Sequence, residues 1–89
     1  MTKIEKLNLN IQTLRVAKDC MNGRIVSLKQ EVAIHFRFMH DDSLSLERFK
    51  AASGELGEAI GALSHLETLI YQYTDKLEEE QNQMKENRE

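Results

Sequence analysis

Six apolar residues in the second half of the chain recur every seven positions: Phe49, Leu56, Leu63, Ile70, Leu77 and Met84. A repeat of seven sustained over 36 residues suits a helix that buries one stripe, and no strand keeps such a period. Ala52, Ala59, Leu66 and Tyr73 flank the row on one side, with Leu46 and Ile60 on the other. The first half carries a matching series with alternating steps of three and four: Ile4, Leu7, Ile11, Leu14, Lys18, Met21, Ile25, Leu28, Val32, His35 and Met39. Only Lys18 and His35 interrupt it. Two long helices follow from these rows. The absence of proline and the presence of only four glycines leave few turn signals for a β-sandwich or barrel.

Helix limits can be read from the polar residues. Thr2 and Glu5 fit a capping box at the start of a first helix spanning about residues 3–40. Asn22-Gly23 is a possible break, yet the apolar phase is the same on both sides of it. A continuous helix with a weak point of about 1 kcal/mol relative to alanine is expected. Residues 41–44 form the turn. Ser45 suits an N-cap, with Leu44 and Phe49 as a hydrophobic staple, and helix two runs about 45–77 or beyond. The remainder, 78–89, reads as a charged, frayed or disordered tail. A short connection folds such helices back antiparallel, so facing residues should have numbers adding to roughly 85. Lys18 should then face Glu67. Residues 1–40 carry seven basic and three acidic residues, and residues 41–89 five and twelve, so the halves are complementary at +4 and −7. The expected fold is all-α, an antiparallel, coiled-coil-like hairpin.

Composition narrows the function classes. No apolar run exceeds three residues, such as Val32 to Ile34, so neither a transmembrane span nor a signal-peptide core is expected. A net charge of −3 gives no global case for nucleic acid. Cys20 is the single cysteine, which leaves no internal disulfide and no CxxC zinc site. The histidines are His35, His40 and His65. Glu31 and His35 have the spacing to share an ion, and His65 falls level with Cys20, but two ligands do not make a site. No phosphate loop, nucleophile elbow or Cys/His dyad appears. Asp41 and Asp42 suit local hydrogen bonding in a turn. No enzyme, metal or cofactor is expected, and the chain reads as soluble and cytoplasmic.

Residues with no use in the seam point to a partner. Gly54, Gly57, Gly61 and Ser64 make a small-residue stripe on the second helix. Three glycines in a helix cost stability, which close approach of another backbone would justify. The competing explanation is that they let the hairpin's own helices approach closely. On the first helix Leu9, Val16, Cys20 and Gly23 lie on a side turned away from the seam. Tyr71 and Tyr73 could anchor the far end of an interface. The candidate partner-binding residues are therefore Leu9, Val16, Cys20, Gly54, Gly57, Gly61, Tyr71 and Tyr73. A two-helix hairpin cannot bury two faces by itself, so a second copy or a different protein must cover the rest.

Three stretches carry a family resemblance: Thr2-Lys-Ile-Glu-Lys-Leu7 followed by Leu14-Arg-Val-Ala-Lys18; Ile25-Val-Ser-Leu-Lys-Gln30; and Ala59-Ile60 followed by Leu69-Ile-Tyr-Gln-Tyr73. Over residues 2–77 the chain resembles the small helical co-chaperones of bacterial type III secretion systems, of the YscE/PscE/SsaE type. The resemblance implies a cytoplasmic virulence-associated chaperone. Such a protein pairs with a repeat-type helical chaperone, and the pair keeps a needle or translocon subunit soluble before export. The tail after Leu77 and the glycine stripe depart from that pattern. A second reading from a different class is a homodimeric four-helix bundle acting as a small inhibitor, regulator or ligand sponge, in which Lys18, Arg24 and Lys29 could line an anion site.

Overall fold

The computed structural model describes residues 1–88 and contains two helices, α1 (Lys3–Phe38) and α2 (Ser43–Arg88). They pack against one another along a hairpin 72 Å long and only 17 by 14 Å in section. Thr2 caps α1: its backbone is extended, and its hydroxyl accepts the Glu5 amide at 3.1 Å. Helix one is unbroken through Asn22-Gly23. The continuous apolar phase across that pair gives the helix a buried stripe on both sides, which outweighs one unfavourable glycine.

The reversal occupies residues 39–42 and uses no residue of positive φ. The Asp41 amide donates to the Phe38 carbonyl at 3.1 Å, closing the end of α1. Helix two starts earlier than the Ser45 cap predicts. Asp42 holds that role, since its Oδ1 accepts the Leu44 amide at 2.9 Å and its carbonyl accepts the Leu46 amide at 3.2 Å. Ser45 itself donates to Asp42 Oδ2 at 3.4 Å and is half-buried within the helix. A carboxylate close to the first amides of a helix also meets the positive end of its dipole. At the other end, residues 78–88 continue α2, where a charged tail was expected. Glu80 reaches Lys3 at 2.9 Å, so this segment lies alongside the start of α1. Glu89, the last residue of that expected tail, lies outside the described residues.

The seam is the one the heptad rows outline. Ile25, Leu28 and Ala59 form its buried centre, with Met21, Leu56 and Leu63 packed around them. Leu7, Ile11 and Ala52 extend the buried line towards both ends. Leu28 is the most enclosed side chain, 1% exposed. The antiparallel register shows in pairs that span the helices: Phe36 beside Phe49, with ring centroids 5.7 Å apart, and Lys18 facing Glu67 at 3.9 Å. Ala59 of α2 leaves room for the larger Ile25 and Leu28 of α1 to fill the space between the helices. Large side chains opposite small ones keep the section narrow.

Candidate functional site

The cross-helix pairs divide the hairpin into two flanks. On one flank Arg24 donates to Glu55 at 3.0 Å, and Lys3 pairs with Glu80. The opposite flank carries the Phe36–Phe49 contact and the longer Lys18–Glu67 pair. Seven-residue steps along a packed helix return to the same side. Counting back from Phe36 therefore places Lys29, Asn22 and Arg15 on this second flank, and counting back from Glu67 places Ile60, Ser53 and Leu46 there.

The eight residues singled out as partner-binding do not come together. Leu9 and Val16 are 50% and 60% exposed, and Cys20 is exposed as well. Gly54, Gly57 and Gly61 are exposed on α2. In both helices these positions fall on the side away from the seam, so in an antiparallel pair they point outward in opposite directions. They form two separate surfaces. A Cβ built at any of these glycines would meet nothing within 4 Å. The glycines thus do nothing for the packing of α2 on α1, and that explanation of the stripe is excluded. Tyr71 is the most exposed tyrosine at 70%. Tyr73 sits instead in the seam row, half-buried, with Lys76 Nζ 5.3 Å from its ring centroid. The two tyrosines occupy different environments and do not make one anchor.

Polar chemistry converges nowhere in particular. Lys18 and Arg24 are engaged on opposite flanks, so together with Lys29 they do not line one anion site. No group of three or more potential metal ligands occurs among the described residues. Two open recesses, one by Met21, Arg24, Glu55 and Ala59 and one by Ile4, Glu78 and Met84, are shallow notches between the helices.

The main surface feature is apolar, and it lies in the half of the hairpin that holds the reversal. Val26, Ile34, Phe36, Phe38, Leu44, Leu46 and Ile60 are each at least 37% exposed. Seven of the twelve exposed large apolar side chains thus lie in the half of the hairpin that holds the reversal, with Phe38 on the Arg24 flank and Phe36, Leu46 and Ile60 on the opposite one, more than the scattered singles that a monomer's surface tolerates. The sequence carries a signal for this patch. Between Val32 and Met39 the seam can take only Val32, His35 and Met39, so Ile34, Phe36 and Phe38 are left without a place in it. Phe36 keeps one edge against Phe49 while 56% of its surface stays in solvent.

No helix among the described residues is long and apolar enough to cross a membrane. Comparison with protein-family models, with curated proteins and with solved structures returned no match.

Proposed function

We propose that the hairpin is an interaction module, one helical component of a larger helical assembly, and that it performs no chemistry of its own. The exposed apolar side chains in the half that holds the reversal carry this reading. Seven large side chains left in solvent cost free energy that a docked protein surface would recover, at about 25 cal/mol for each Å² of apolar area removed from water. In its specific form the partner is a second, repeat-type helical chaperone. The two together keep a polymerising export subunit soluble in the cytoplasm, as in type III secretion. The support for this specific form is the sequence resemblance over residues 2–77, together with a hairpin shape that such a role requires. An amphipathic export subunit needs its apolar face covered until secretion, and a slender hairpin can buttress the protein that covers it.

Light scattering of the purified chain, alone and co-expressed with the products of neighbouring genes, tests this. The expected result is a heteromer that melts at a higher temperature than the chain alone, because binding to the folded state stabilises it. A homodimer indifferent to every neighbour would contradict the reading.

The second reading, a self-associating four-helix bundle, draws on the open space over Gly54, Gly57 and Gly61. That space would let another backbone approach α2 closely. Gly57→Leu should then abolish self-association without loss of helix content, as read by sedimentation and circular dichroism.

A further inference from the structure

We infer that the flank carrying Phe36 and Ile60 takes an amphipathic helix with acidic residues bordering its apolar stripe. This rests on the proposed docking role and names the site and the partner's chemistry. In the half of the flank nearest the reversal, Phe36 and Lys29 share one row of α1 with Val26 beside it on the outward side, and Leu46 and Ile60 share the facing row of α2; the four apolar side chains are between 37% and 56% exposed. Ser53 and Gly57 lie between the two α2 side chains and leave a low floor there, since a Cβ at Gly57 would meet nothing within 4 Å. The charged residues in this half are Lys29 and Lys50, both exposed, and neither makes an ion pair among the described residues. The nearest acids lie off the patch. Glu47 is on the outward side of α2, Asp41 and Asp42 are in the reversal, and Asp19 and Glu67 come one heptad farther towards the termini.

The shape and charge select the occupant. A shallow trough between two antiparallel helices accommodates a third helix lying along it. The stretch from Leu46 to Ile60 spans about 21 Å at 1.5 Å per residue, which four turns of a partner would cover. Lys29 within the trough and Lys50 at its edge match carboxylates beside the partner's apolar stripe. A second copy fits less well. Placed reversal beside reversal, it gathers the Lys29 and Lys50 of both copies into one interface with no carboxylate of the patch to meet them. Placed head to tail, it lays Phe36 and Leu46 over Asn8, Gln12 and Thr74.

The test uses the full chain and two synthetic amphipathic peptides of about 18 residues. Both carry the same leucine stripe, bordered by glutamate in one and by lysine in the other. Fluorescence anisotropy should give at least about tenfold tighter binding of the glutamate peptide at low salt, a preference that shrinks as salt screens it. The double variant Lys29→Glu, Lys50→Glu should reverse the preference, and Ile60→Glu should weaken both peptides about tenfold or more. Equal binding of the two peptides, absence of binding, or indifference to Ile60→Glu would overturn the inference. So would a dimer of the chain alone that Ile60→Glu dissociates, because a second copy would then be the occupant. A heteromer found in co-expression that ignores Ile60→Glu would overturn this site while leaving the docking role intact.

Discussion

The seam and the Phe36–Ile60 flank hold the same kinds of side chain in opposite circumstances. Leu28 in the seam is 1% exposed, whereas Ile60, next in sequence to the buried Ala59, is 48% exposed. A helix turns about 100° per residue, so adjacent positions face different surroundings although they share a backbone. The contrast separates what the fold uses from what it leaves over. A slender hairpin has one internal face per helix, and apolar residues beyond that face find little intramolecular cover. Hydrophobicity alone therefore does not assign a residue to the core here; its place in the heptad does.

The largest test of the contrast is Leu28→Ala. It removes the most enclosed side chain from the centre of the seam, and urea unfolding should report a loss of about 2–5 kcal/mol. A loss below about 1 kcal/mol would mean that the seam is not a packed core. Next comes a change in the opposite direction. Replacing Gly54, Gly57 and Gly61 together by alanine should stabilise the hairpin by about 2–3 kcal/mol, because each site is helical and open. A destabilised triple variant would place another backbone against that side of α2. Asp42→Ala should cost about 1 kcal/mol by removing the carboxylate that accepts the Leu44 amide at the start of α2. Arg24→Ala should cost no more than about 0.5 kcal/mol, since both members of its pair with Glu55 are more than half exposed. Thermal unfolding followed at 222 nm reads the last two.

The fold was legible because it depends on a period. A repeat of seven on one helix and alternating steps of three and four on the other define two stripes, and a short polar connection turns one onto the other. Lys18 facing Glu67 follows from that geometry alone. The cap was less legible, because Asp42, Ser43 and Ser45 are all competent N-caps within four residues, and the hydrogen bonds that choose Asp42 depend on the backbone of the reversal. The apolar flank was partly legible. Leu46 and Ile60 stand beside the row in sequence, but Phe36 joins them only when the antiparallel register brings α1 alongside. The outward glycines were visible as a stripe, while the open space above them is a property of the folded pair.

The central claim is that the seam sustains the hairpin and the flank does not. Its most direct test is the urea unfolding free energy of Ile60→Glu, measured at a concentration where the chain is monomeric. If the flank is outside the fold's own packing, the variant stays within about 0.5 kcal/mol of the wild-type chain. A loss of about 2 kcal/mol or more would contradict the account and make Ile60 part of the core.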